Sequence, residues 1–78
     1  MKYEYEKTHE IGGSKYLVLI TKNKYYNVAA FEVEDNPRHA NEKNIFDRFD
    51  IISVIPEKSY RSLSEATRDI NAHIKNYA

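Results

Sequence analysis

The three histidines of this chain are its first candidates for metal ligands. They lie far apart in the sequence, at positions 9, 39 and 73. A metal site needs several ligands that converge, often four residues apart on a helix. Asp69 and His73 have that spacing, yet no third ligand accompanies them. His9 precedes a predicted turn, and His39 lies in a polar segment. We therefore predict no metal site.

Two acidic pairs, Glu32/Glu34 and Asp47/Asp50, are the only candidates for the paired carboxylates of a hydrolase or nuclease. Such a pair must lie in a cleft, and a small sheet with one helix offers little concavity. The chain has no cysteine, and Gly12-Gly13 lacks the Lys-Ser/Thr of a phosphate-binding loop. We therefore predict that the protein is not an enzyme and uses no cofactor.

Length and charge narrow the class of protein. The 78 residues are predicted to form one small domain, residues 1–78, in which twelve basic and twelve acidic residues cancel. Nucleic-acid binders usually carry a basic surplus, so this balance argues against a nucleic-acid partner.

The start of the sequence has no apolar signal-peptide core, and no apolar run approaches roughly 18 residues. Together with the lack of cysteine, this predicts a soluble, cytoplasmic protein with no membrane partner.

Alternating apolar and polar residues predict four antiparallel strands. They cover residues 2–9, 15–21, 25–34 and 49–55. Paired glycines at Gly12-Gly13 favour a tight two-residue turn between the first two strands. Asn23-Lys24 is a second predicted two-residue turn, because asparagine tolerates the left-handed region.

These two turns define a core face and an opposite face, which we call the outer face. They pair Tyr5 with Ile20 and Tyr16 with Phe31, and both place the same residues on the core side. The outer face combines apolar and acidic side chains. Its predicted members are Leu17, Leu19, Tyr26, Val28, Ala30, Glu4, Glu6, Glu32 and Glu34.

The C-terminal segment predicts one amphipathic helix. Ser62 and Glu65 fit a capping box, in which each side chain bonds the backbone of the other. An apolar stripe follows at helical spacing, formed by Leu63, Ala66, Ile70, Ile74 and Tyr77. The predicted fold class is therefore α+β: a four-stranded antiparallel sheet (β-β-β-β-α) with one C-terminal helix packed on one face.

The segment before the fourth strand leaves two alternatives. Residues 35–44 contain Pro37 and read as an exposed loop. Ile45, Phe46 and Phe49 then form a short helical turn or plug. If this plug folds over the outer face, the chain covers that face itself. If it fills one end of the core instead, the outer face remains exposed.

The leading functional hypothesis is a small non-enzymatic protein-interaction module that binds through the outer face. One helix covers one side of a sheet, and an exposed apolar patch rimmed by polar residues marks an association site. The acidic rim of Glu4, Glu6, Glu32 and Glu34 predicts a protein partner with a basic surface. A homodimer through the same face is the alternative partner.

The second hypothesis is a nucleic-acid-binding regulator that uses the hairpin of Lys22 and Lys24. The run from Ser62 to Ala66, with Ile70 and Ile74 beyond, resembles the helix start of HicB-type antitoxins. The resemblance implies an antitoxin-like role and covers about a third of the chain. The family's Pro-Asp-Leu segment is missing, and no functional residue is carried over. The strand-strand-strand-helix outline is also similar to the arm-type DNA-binding domains of phage integrases, which are basic.

The general profile is similar to that of accessory proteins of phages and mobile elements. Anti-CRISPR proteins and other inhibitors of host complexes share this short, neutral and cysteine-free composition. By this analogy, the interaction module is predicted to inhibit or regulate a host complex.

Overall fold

The computed structural model describes residues 2–77, without the side chain of Tyr77, and it confirms the predicted α+β class. One antiparallel sheet has the strand order β1-β2-β3-β4, and one helix follows it. The elements are β1 Tyr5–Ile11, β2 Ser14–Lys22, β3 Tyr26–Asp35, β4 Phe49–Tyr60 and α1 Leu63–Tyr77. Two short 3-10 turns, Pro37–His39 and Ile45–Arg48, lie between β3 and β4.

The first hairpin has the predicted turn and register. Gly12 and Gly13 both have positive φ angles, of 60° and 83°, which glycine adopts without steric cost. Tyr5 pairs with Ile20, and Ile11 pairs with Ser14. The paired glycines therefore set the pairing of β1 with β2.

The second hairpin differs from the prediction by one residue. Lys22 pairs with Tyr26, so three residues form the turn, and the backbone N–H of Asn23 donates to the carbonyl of Tyr25 at 3.0 Å. A two-residue primed turn needs positive φ at one or both central residues. Only glycines have positive φ in the described part of this chain. Asn23 and Lys24 thus do not make the tight turn.

This one-residue difference exchanges the two sets of β3 side chains between the two faces of the sheet. Val18 now pairs with Ala30, and Ile20 pairs with Val28, so Val28 and Ala30 join the core under the helix. The predicted outer face was therefore wrong in its membership. We call the side that α1 covers the helix face.

The helix begins as predicted. The hydroxyl of Ser62 accepts a hydrogen bond from the backbone N–H of Glu65 at 3.2 Å, which is the N-cap half of the predicted capping box. Ala66, Ile70 and Ile74 are buried against the helix face of the sheet. The predicted stripe also included Tyr77, whose side chain lies outside the described residues. The buried helix-face core consists of Tyr16, Val18, Ile20, Val28, Ala30, Ile55, Ala66, Ile70 and Ile74.

The opposite side of the sheet, which we call the plug face, is covered by the same chain. Leu17 and Leu19 are buried there, with 0% and 4% of their surface exposed. Phe46 contacts Phe31 edge-to-face, with ring centroids 5.2 Å apart. The side-chain carbonyl of Asn44 accepts a hydrogen bond from the Phe46 backbone N–H at 3.1 Å. The partly buried residues that pack against Leu17, Leu19 and Val33 on this face are Tyr3, Phe31, Ile45, Phe46 and Phe49. The alternative in which the plug covers this side is the one observed.

The fourth strand continues past Pro56, where the sequence predicts its end. Val28 pairs with Lys58 and Ala30 with Ile55, so β4 holds one extra residue around Pro56. Proline lacks a backbone N–H, and edge strands and bulges are the places where a sheet tolerates it. β4 is an edge strand, which explains why it runs on to Tyr60.

Candidate functional site

The residues predicted to bind a partner do not form one surface. Leu17, Leu19 and Val28 are buried, and Tyr26 is half-buried on the helix face. The acidic rim is also divided. Glu6 pairs with Leu19 and belongs to the plug face, whereas Glu4 is exposed and precedes β1. Glu32 pairs with Tyr16 and belongs to the helix face with Glu34. The predicted exposed apolar face was wrong, because the turn register and the plug both close it.

A different apolar surface is exposed on β4. Ile51, Ile52 and Val54 have 38%, 54% and 60% of their surface exposed. They are three of the four large apolar residues that are exposed in the described part of the chain, and they lie within four consecutive positions. Single exposed apolar residues are ordinary, whereas contiguous ones indicate a contact site. We call these three residues the edge surface.

A bulge in β4 makes the edge surface wrap around the sheet. Glu32 pairs with Ser53 and Val33 pairs with Ile51, so Ile52 is an extra residue in the strand. Val54 pairs with Phe31 and belongs, like Ile51, to the plug face. Ile52 instead lines an open concavity of about 440 Å³ that Glu32 and Glu34 also line.

Three carboxylates, of Glu32, Glu34 and Asp50, lie beside the edge surface. Glu34 lies directly opposite Asp50, and Glu32 is two positions away on the same strand face. Asn36 donates an amide N–H to Asp50 at 3.1 Å, and the Ser53 hydroxyl donates to Glu32 at 3.3 Å. Among residues 2–77, no basic nitrogen lies within 4.0 Å of these three carboxylates.

One cation, Lys15, lines the same concavity, but it is paired with other carboxylates. Lys15 donates to both carboxylate oxygens of Asp35 at 2.9 Å and lies 3.7 Å from Glu10. The hydrogen bond to Asp35 raises the pKa of the Lys15 ammonium, although burial opposes it. The Arg48 guanidinium donates to the backbone carbonyl of Glu42 at 2.6 Å. The three carboxylates beside the edge surface therefore have no ion-pair partner among residues 2–77.

The opposite end of the sheet carries the basic residues of the second hypothesis. Lys22 and Lys24 are exposed, and the Lys22 ammonium lies 5.2 Å from the ring centre of Tyr26. Tyr25 is 43% exposed and lines a shallow depression with Arg61. These residues share one end of the domain, as the hairpin hypothesis requires.

A half-buried histidine lies on the helix face of β1. Burial lowers the pKa of His9 below its ordinary value of 6.5, and the nearby charge of Lys7 lowers it further. Its Nε2 lies 3.4 Å from the hydroxyl of Tyr5, whose own pKa is raised by burial. No metal-ligand set accompanies His9 in residues 2–77.

His9 predicts a dependence of stability on pH. Because its pKa is lower in the folded state, the unfolded chain takes up the proton first as pH falls. The free energy of unfolding should therefore decrease below pH 6.5, with a slope shallower than the ~1.4 kcal/mol per pH unit of one full proton. Urea unfolding from pH 7.5 downwards measures it. His9→Gln should flatten this decrease, and an unchanged slope in that variant refutes the assignment.

Sequence reasoning missed the edge surface although a signal was present. Residues 51–55 read Ile-Ile-Ser-Val-Ile, a strand without the alternation that one buried face requires. Such a run is apolar on both sides. Only the strand order shows that this strand lies at an edge.

Within residues 2–77, no helix has the length and hydropathy that crossing a membrane requires.

Comparison with known proteins assigns this chain to no family. The resemblance of the helix start to HicB-type antitoxins gains no support from a family match. No protein-family model matches the chain, and no curated protein or solved structure is significantly similar to it.

Proposed function

We propose that this chain is a small non-enzymatic protein-binding domain and that it binds its partner through the edge surface. The observation that carries the proposal is the exposure of Ile51, Ile52 and Val54 on one edge strand. The plug and the helix bury or partly bury the other large apolar residues of the sheet. The chain therefore has the means to cover apolar surface, yet leaves this strip uncovered.

The free energy gained by covering the edge surface is large enough to support recognition of a partner. Burying a valine or isoleucine fully contributes about 1.5–3 kcal/mol. Because Ile52 and Val54 are roughly half exposed, covering the edge surface contributes about 2–4 kcal/mol in total. Two or more kcal/mol from a few central residues is typical of the hot spots that dominate interfaces.

Within this proposal, the domain acts in the cytoplasm as an inhibitor or regulator of a host complex, in the manner of phage and mobile-element accessory proteins. A small domain with an apolar strip and adjacent carboxylates can occupy a basic surface of another protein. The nucleic-acid-binding surface of a host complex is such a surface. Analogy of size and composition supports this part of the proposal.

One specific observation favours a second function, nucleic-acid binding by the hairpin of Lys22 and Lys24. Tyr25 is exposed between these lysines and Arg61, and an aromatic ring beside cations can stack a base. The neutral net charge weighs against it, because phosphate neutralisation supplies most such affinity.

Substitution of the edge surface tests the proposal. Ile52→Thr with Val54→Thr keeps β-branched side chains on the strand and removes apolar contact area. Proteins captured by the wild-type domain are identified, purified and titrated by calorimetry against wild type and variant. We expect at least about tenfold weaker binding, equivalent to ~1.4 kcal/mol.

The matched control is Tyr25→Ser, which removes an exposed apolar side chain at the other end of the domain. It should bind the purified partner as tightly as wild type. Equal binding by the edge variant, with loss in Tyr25→Ser or on substituting Lys22 and Lys24, contradicts the proposal. A gel shift that weakens with salt then identifies the hairpin as a nucleic-acid site.

A further inference from the structure

We infer that the occupant of the edge surface is a basic protein segment that sets an arginine or lysine beside an apolar side chain. This inference rests on the proposed function and names its partner class. The apolar strip supplies the contact, and the charges around it select the occupant.

The charge beside Ile52 is predominantly negative, because four carboxylates and one ammonium, that of Lys15, line the same concavity. Glu32 and Glu34 line the same concavity as Ile52, and Asp50 lies directly opposite Glu34. Like charges directly opposite on neighbouring strands are unfavourable. No cation of residues 2–77 pairs with them, since Lys15 is held by Asp35 and Glu10. A cation from outside relieves this repulsion as the apolar contact forms.

A second copy of the chain fits this surface poorly. A symmetric dimer centred on Ile52 brings the carboxylates of Glu32, Glu34 and Asp50 of both copies close together, where they repel. Its backbone ladder is also interrupted. One irregularity lies at Ile52 and the other around Pro56, so only about three residues between them are regular. A basic partner meets neither obstacle, because its side chains can reach the strip and the carboxylates together.

Arginine is the residue that this arrangement suits best. Its planar guanidinium donates to two carboxylate oxygens at once, and its stem packs on apolar surface. Glu34 and Asp50 lie on facing strands, which places two acceptor groups side by side. A segment that alternates arginine with an aliphatic residue can place a cation at this pair while an aliphatic neighbour contacts Ile52 or Val54.

Two synthetic peptides test the inference against the whole domain. One alternates arginine with valine, and the other has glutamate in place of every arginine. We expect the arginine peptide to bind, measured by calorimetry, and the glutamate peptide not to bind. Raising NaCl from about 0.05 to about 0.5 M should weaken binding several-fold, because partly exposed ion pairs are screened.

Charge variants locate the contact. Glu34→Gln with Asp50→Asn should weaken the arginine peptide at least fivefold and should not lower the thermal midpoint of unfolding, because a like-charge pair is removed. The control, Glu4→Gln with Glu6→Gln, removes the same number of carboxylates from exposed positions before and in β1. It should leave the affinity unchanged. Equal losses in both pairs indicate general attraction and overturn the inference.

The outcomes separate this inference from the proposed function. Equal binding of both peptides, or of neither, overturns the basic partner. If sedimentation shows a dimer that Ile52→Thr with Val54→Thr dissolves, the edge surface is a binding site but its occupant is a second copy. If Ile52→Thr with Val54→Thr loses binding to the purified partner while Glu34→Gln with Asp50→Asn does not, that result retains the proposed function and rejects the basic segment.

Discussion

Replacing Leu17 and Leu19 together by glutamate is expected to unfold the domain. Both side chains are buried on the plug face, at 0% and 4% exposure. An unpaired charge in such a place costs several kcal/mol even after relaxation. A domain of this size has a total stability of about 5 kcal/mol, so two such charges exceed it. Circular dichroism and urea titration of the variant should show no cooperative transition.

The control places the same two charges on the edge surface. Ile52→Glu with Val54→Glu adds glutamates where more than half of each side chain is exposed. This variant should remain folded. A Leu17→Glu, Leu19→Glu variant that unfolds cooperatively at near wild-type urea concentration means that the plug does not close this face. Leu17 and Leu19 would then be available to a partner, as the sequence predicts, although Val28 and Ala30 remain under the helix.

Truncation of Ile55 to alanine is expected to destabilise the domain by about 2–4 kcal/mol. Ile55 is 1% exposed and lies in the helix-face core with Ile70 and Ile74. Removing its outer atoms loses buried apolar area and leaves a cavity, and large-to-small changes of this kind cost about 2–5 kcal/mol. The midpoint of urea unfolding at constant slope measures the loss.

Val54, the preceding residue, is the matched control. It projects from the opposite side of β4 and is 60% exposed, so Val54→Ala should cost less than about 0.5 kcal/mol. The same variant is expected to weaken partner binding, which separates folding from function at neighbouring positions. If Ile55→Ala and Val54→Ala destabilise the domain equally, Val54 is also buried, and the assignment of β4 side chains to the two faces is wrong.

The elements with local signals were predictable. Gly12-Gly13 has one strong turn conformation, and Ser62 with Glu65 marks a helix start, so the first hairpin and α1 follow from nearby residues. Asn23-Lys24 has only a weak preference for a two-residue turn, since neither residue adopts positive φ as readily as glycine. The register of β3 was therefore decided by packing: the observed register places Val28 and Ala30 beneath α1, and Phe31 opposite the plug.

The candidate site was less predictable, because its exposure depends on contacts distant in sequence. The acidic residues Glu32 and Glu34 were recognised, but their face follows from the turn at residues 23–25. The extra residue at Ile52 exists only relative to β3, since a bulge is a property of two paired strands. No pattern within residues 49–60 indicates it.

The irregular outline of β4 has a consequence for the behaviour of the protein at high concentration. Fibril growth needs a flat, continuous row of outward N–H and C=O groups, and exposed isoleucines on a regular edge would supply an adhesive template. Here the backbone is displaced at Ile52 and again around Pro56. The β4 edge can thus present aliphatic side chains to the solvent without offering a continuous template for amyloid-like stacking.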